Sequence, residues 1–139
     1  VVTQNNAVTR EDKKMLKYVS TPKAPAAIGP YSQAVVFNNI LYTSGQIPLD
    51  PASGEIVGTT IEEQAEQVLK NMEAILKDQN ASFLHVIKTT CFLADMKDFA
   101  AFNLVYGKYF IGNPARSCVA VKELPKKVLC EVEAIVALK

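Results

Sequence analysis

Three charged side chains stand in runs that otherwise suit burial: Arg116 in NPARSCVAV (113–121), and Glu131 and Glu133 in CEVEAIVAL (130–138). A guanidinium stays charged at any physiological pH, and its planar fork of N–H donors matches a carboxylate through two parallel hydrogen bonds. That suits capture of a small carboxylic acid. A glutamate close by, with burial tuning its basicity, can hold or deprotonate a water. Period-two alternation puts both glutamates on one face of the last strand with Leu129, Ile135 and Ala137. A hairpin of 116–121 with 128–137 about KELPKK, with Val121 opposite Val128, would set Arg116 against Glu133 and Cys118 against Glu131. A slip of one residue would undo both pairings. The plainer reading of that register is a cross-strand Arg116–Glu133 ion pair without chemistry.

Other polar residues are weaker signals. No histidine shares a stretch with Cys118, so its thiol reads as packing, and its backbone N–H is the better contributor to a site. His85, the only histidine, reads as a surface or satisfied side chain and leaves a multi-histidine metal centre without ligands. Asn103 falls on an apolar helix face, where it either satisfies backbone groups or looks into a pocket. Tyr31, after Gly29-Pro30, is either a core aromatic or a pocket wall. GxGxxG, P-loop, HExxH and GxSxG patterns are all missing, so the residues point to a small-acid site working without a cofactor or metal.

A chain of 139 residues fits one domain that can bury about two thirds of its unfolded surface. A net charge of +1 with no basic block or basic aromatic platform weighs against dedicated nucleic-acid binding. Cys91, Cys118 and Cys130 lack CxxC spacing and lie in strand-like runs, which favours free thiols in a reducing compartment. No apolar stretch is long enough to span a bilayer and no signal-peptide core is visible, so a cytoplasmic protein is expected, with a trimmed mitochondrial leader as the alternative. Residues 1–16 read as a flexible N-terminal tail or leader and 17–139 as a single domain.

The elements that must position Arg116 and Glu131 follow from pattern. KYVS is a short strand, and SQAVVFNNILYTSG a hairpin about Asn38-Asn39, a pair that tolerates positive φ. PLDPASGE is turn chemistry. Thr60-Ile61-Glu62-Glu63 is a capping box, after which Ile61, Ala65, Val68, Leu69, Met72, Ile75 and Leu76 repeat at helical spacing. LHVIKTTCFLA (84–94) is a long strand. A second helix over about 98–110 sets Phe99, Phe102, Tyr106, Tyr109 and Phe110 on one face, with Asn103 among them. RSCVAV and VLCEVEAIVAL are the final strands. The order β-β-β-α-β-α-β-β predicts a two-layer α+β sandwich, a mixed six-stranded sheet with two helices on one face. Thr89, Cys91 and Leu93 alternate with Lys88, Thr90 and Phe92, so neither face of the long strand is wholly polar. The face without helices predicts an oligomer.

APAAIGPYSQA (24–34), YTSGQIP (42–48), VIKTTCFLADMKDFAAFNLVY (86–106), PARSCVAV (114–121) and LPKKVLCEVEAI (124–135) resemble the RidA family, also called YjgF/YER057c/UK114, in unbroken order over residues 17–139. The resemblance implies a chorismate-mutase-like fold and a homotrimer with ligand sites in clefts between subunits. It also implies a cofactor-free deaminase that hydrolyses 2-enamino and 2-imino acids, such as 2-aminoacrylate and 2-iminobutanoate, to 2-keto acids and ammonia. By position, Arg116 matches the family arginine that binds the substrate carboxylate, and Glu131 the glutamate that orients water. Tyr31, Ser44, Gly45 and Asn103 match pocket positions, and Cys118 one that contributes its backbone amide. Family members have also been linked to RNA cleavage, translation inhibition and chaperone-like behaviour, so an RNA-binding or chaperone-like module is the alternative implied.

Overall fold

Helix and strand patterns alternate along this chain in a way that leaves few arrangements open, and a computed structural model, which describes residues 15–139, carries nearly all of them. Of the tail or leader expected over residues 1–16, residues 1–14 lie outside the described residues. The elements are β1 (Lys17–Val19), β2 (Ala34–Phe37), β3 (Ile40–Thr43), α1 (Ile61–Asp78), β4 (Val86–Leu93), α2 (Phe99–Tyr109), β5 (Ala115–Ala120) and β6 (Cys130–Ala137). They form one mixed six-stranded sheet in the order β1-β2-β3-β6-β4-β5, with both helices packed on one face, as expected.

Local chemistry fixes the boundaries. Asn38 and Asn39 take φ values of 50° and 61°, the left-handed pair that a two-residue hairpin between β2 and β3 requires. At the start of α1, Thr60 Oγ1 accepts from the Glu63 amide at 3.2 Å and the Glu63 carboxylate accepts from the Thr60 amide at 3.3 Å, closing the capping box. The predicted stripe from Ile61 to Leu76 is buried throughout, and so are Gln64 and Asn71. Asn71 Nδ2 donates to the carbonyls of Ile47 and Leu49 at 3.1 and 2.9 Å. Gln64 accepts from the Leu129 amide at 2.7 Å and donates to the Gly58 carbonyl at 3.1 Å. Helix α1 thereby holds the loop after β3 and the entry to β6, the two segments that carry Gly45 and Glu131.

The last two strands do not form the expected hairpin. β5 runs parallel to β4 at the sheet edge, with Thr89 beside Arg116 and Cys91 beside Cys118. β6 lies between β3 and β4, antiparallel to both, with Phe92 beside Glu131 and Thr90 beside Glu133. A helix joining two strands returns the chain to its starting end, so β4-α2-β5 is a crossover unit whose strands must be parallel. Segment 121–129 then arches over the end of β4, where the Val121 amide donates to Leu93 and the Ala94 amide to Leu129. That delivers β6 to the sheet centre, where Cys130, Val132, Ala134 and Val136 are buried under the helices. Residues beside one another share a face, so Arg116 belongs to the helix-covered side and Glu131 and Glu133 to the bare one.

The arch contains a strained pair: Lys126 and Lys127 both hold left-handed φ, 55° and 56°. An L side chain there costs about 1 kcal/mol. Lys127→Gly, which keeps the backbone bond from residue 127 to the Leu124 carbonyl, is therefore expected to stabilise the fold by about that amount. Urea unfolding reads it, and an unmoved midpoint would mean that the arch does not hold this conformation.

The core joins both helices to one sheet face through Leu41, Val68, Leu69, Met72, Ile75, Leu76, Leu93, Phe102, Val132 and Val136. Cys91 and Cys130 are buried in it as free thiols, and burial pushes both up to about 12. On the opposite face Tyr18, Phe37, Tyr42 and Val119 remain exposed, in a plane with Ile40, Phe92 and Ile135. Among the described residues no helix is long and apolar enough to cross a membrane.

Candidate active site

Arg116 occupies the edge strand, half-buried beneath α2. Its Nη1 donates to Asn103 Oδ1 at 2.7 Å, and its Cζ lies 4.7 Å from the centroid of the Tyr106 ring and 5.4 Å from that of Phe99. Positions 99, 103 and 106 are spaced i, i+4 and i+7, one stripe along α2. This explains an asparagine on an apolar helix face: it is the polar member of a cradle built for a guanidinium. The Arg116–Glu133 ion pair is not formed, because the two lie on opposite sides of the sheet. Among the described residues the one salt bridge is Lys77–Glu73 on α1, which leaves Arg116 without an anionic partner. Cys118, two residues along on the same face, is half-buried. Burial raises its pKa and the Arg116 charge offsets this only in part, so the thiol is protonated at neutral pH.

Glu131 stands on the bare face beside a glycine. The backbones of Gln46 and Val132 exchange two hydrogen bonds, 2.8 and 3.1 Å, which lays segment 44–46 along β6. A Cβ built on Gly45 would sit 2.7 Å from Glu131 Cδ and 3.0 Å from Cγ, so any larger residue would push this carboxylate from its place. Ser44 Oγ donates to the Ser32 carbonyl at 2.5 Å and its amide to the Gln33 carbonyl at 2.9 Å, tying the glycine to the loop that carries Tyr31. Gln33, itself buried, accepts from the Thr21 amide at 2.7 Å and donates to the carbonyls of Thr21, Ala24 and Pro25, which holds that loop in shape. Tyr31 is 52% exposed and no core aromatic; it helps to line a small cleft with Ile28, Gln33, Gly45, Gln46 and Ile47. Burial, then the charge of Glu133, raises the pKa of Glu131 above the ordinary glutamate range.

The predicted site residues thus gather into two groups. Arg116, Asn103 and Cys118 lie under α2 at one edge, while Tyr31, Ser44, Gly45 and Glu131 lie on and beside the bare face. In one chain the cation and the carboxylate look away from each other across the sheet. His85 joins neither group: it is exposed, and its Nδ1 accepts from the Ser82 amide at 3.0 Å. Phe99 and Tyr106 were not among the expected site residues, although their spacing from Asn103 was the signal that could have marked them.

Residues 21–138 match the family described as Endoribonuclease L-PSP. The chain is 55% identical to the regulator-named protein AldR of Lactococcus lactis, over 89% of this chain and 99% of the relative. It is 51% identical to the 2-iminobutanoate/2-iminopropanoate deaminase of Rattus norvegicus, over 86% of this chain and 88% of that protein. Among solved structures, Escherichia coli TdcF with bound serine superposes with a TM-score of 0.84 at 42% identity, covering 88% of this chain and 99% of that one.

Proposed function

This chain belongs to the Endoribonuclease L-PSP family, the YjgF/RidA proteins, and from that premise we propose that it hydrolyses reactive 2-imino and 2-enamino acids to 2-keto acids and ammonia. Relatives at about half identity that carry the name 2-iminobutanoate/2-iminopropanoate deaminase support imine deamination. The observation that carries the reading in this chain is a guanidinium held by an amide and two rings, with no carboxylate paired to it among the described residues. The donor fork of such a group matches a carboxylate.

The separation of the two residue groups fits a site shared between copies. The bare sheet face has apolar residues to bury, and packing copies of it together in a closed ring, a homotrimer, brings the Glu131 side of one subunit towards the Arg116 edge of the next. In such a cleft Arg116 binds the substrate carboxylate and fixes the C=N carbon. Glu131, backed by Gly45, holds a water and accepts its proton as the oxygen adds to that carbon. The resulting tetrahedral carbinolamine takes that proton from Glu131 on nitrogen, its C–N bond breaks, and ammonia leaves as the C=O bond forms and the hydroxyl proton returns to Glu131. Positioning supplies the acceleration, since imines already hydrolyse unaided in water. Tyr31 and Ser44 shape the wall on the glutamate side, and the Cys118 backbone amide lies on the arginine side.

To test this, 2-iminobutanoate is generated in situ with a threonine dehydratase and its decay followed with and without the protein, while light scattering reports the assembly. Faster decay and a trimer are expected. Equal decay would overturn the deaminase reading, and RNA-dependent signals lost at high salt would favour an RNA-binding module instead.

A further inference from the structure

Asn103 occupies only one corner of the Arg116 fork, and the remaining holding groups form a closed circuit. Tyr106 lies 4.7 Å beneath Cζ, and its hydroxyl is 2.7 Å from Thr89 Oγ1, a fully buried partner. Thr89 is in turn the residue beside Arg116 in the β4–β5 ladder. Tyr106 is also stacked on Phe110 at 4.3 Å, so the ring cannot swing away. Arginine to ring, ring to hydroxyl, hydroxyl to threonine and threonine to arginine therefore return to the same pair of strands. Nη1 is taken by Asn103, which leaves the Nε–Nη2 edge, the side-on pair of donors, without a partner among the described residues.

We infer that Tyr106 is a positioning residue of the proposed site: anchored by Thr89, its ring sets the plane of the Arg116 guanidinium so that the Nε–Nη2 edge meets the substrate carboxylate side-on. This rests on the deaminase reading for its kinetic consequence but not for its structural one. A free arginine has several rotatable bonds, and a substrate meeting it would have to order them. The ring attracts the cation, and the Asn103 bond fixes rotation about the guanidinium axis, so that ordering is complete before binding.

Two measurements on the full-length protein separate the consequences. The chain has two arginines, Arg10 and Arg116, so a nitrogen-15 spectrum of the Nε–H groups holds at most two signals, assigned with Arg116→Lys. The wild-type Arg116 signal is expected upfield by the ring current, with slow rotation about the Nε–Cζ bond because Asn103 holds Nη1. Tyr106→Leu should return it to the position of an exposed arginine, whereas Tyr106→Phe, which preserves packing and ring, should keep the upfield shift and speed the rotation. In kinetics, Tyr106→Leu should raise KM about 3- to 30-fold with kcat nearly unchanged, the range that one cation–ring contact spans. Tyr106→Phe should restore most of that loss. Tyr106→Leu placed on Arg116→Ala should add nothing further to KM, because its effect passes through the arginine. An unmoved signal in Tyr106→Leu, or an equal KM increase on the Arg116→Ala background, overturns the assignment. If the wild type shows no turnover, the deaminase reading falls and the spectra alone decide; should Tyr106→Leu not fold, the rotation rate in Tyr106→Phe decides, an unchanged rate overturning the anchored ring.

Discussion

Arg116→Ala is expected to lower kcat/KM for 2-iminobutanoate by about 10²- to 10³-fold while leaving the fold and assembly in place. The estimate follows from removing one partner of a charge-assisted, water-excluded pair, roughly 3–4 kcal/mol, with 1.4 kcal/mol per tenfold. The side chain makes no bond that the core depends on: among the described residues its one hydrogen bond is to Asn103, and it lies on the edge strand. Arg116→Lys should recover little, because an ammonium supplies a point charge but cannot offer two parallel donors. The readout is imine decay at low substrate, with light scattering as control. Decay within about threefold of wild type, in an intact assembly, would leave the cation without its assigned task.

Glu131→Gln is expected to reduce kcat by about 10²-fold or more, the usual contribution of a positioned proton acceptor, with KM little changed. It should also raise the melting temperature. The pKa of Glu131 is raised in the folded chain, first by burial and then by Glu133, so the native state binds this proton more tightly than the unfolded chain does. The charged carboxylate is therefore unfavourable at all pH values above its folded pKa. That penalty disappears as the pH falls below the unfolded value. A neutral amide of the same shape escapes the penalty at neutral pH, so activity and stability move in opposite directions. The same shift sets the acid limb of kcat, which should fall off above the ordinary glutamate value of 4.5 and vanish from what activity Glu131→Gln retains. A variant both slower and less stable would mean that the carboxylate is held by favourable contacts and is not the strained group described above.

The start of helix α1 was legible to the residue and its buried stripe with it, because a capping box and an unbroken stripe are local signals. The Asn38-Asn39 turn was legible for the same reason: its φ requirement is written in two adjacent side chains. The pairing of the last two strands was not. A short polar connection suggested a hairpin, whereas the crossover through α2 had already committed β5 to lie parallel beside β4 and closed that edge of it. Period-two alternation placed Glu131 and Glu133 together and opposite the buried residues of their own strand, which the structure keeps. What alternation within one strand cannot supply is the relation between strands, so Arg116 was expected across from a glutamate and stands on the other side of the sheet. Asn103 drew notice as a misfit on an apolar face, yet its meaning depended on a residue thirteen positions away, beyond the reach of any helical period.

With the guanidinium on one side of the sheet and the carboxylate on the other, neither variant above is dead in every company. When Arg116→Ala and Glu131→Gln chains are unfolded together and reassembled at equal amounts, about one interface in four draws its arginine and its glutamate from unspoiled neighbours, if each pairs one chain with the next. Two defective preparations would then regain by blending what each lacks alone, and a site confined to one polypeptide would gain nothing.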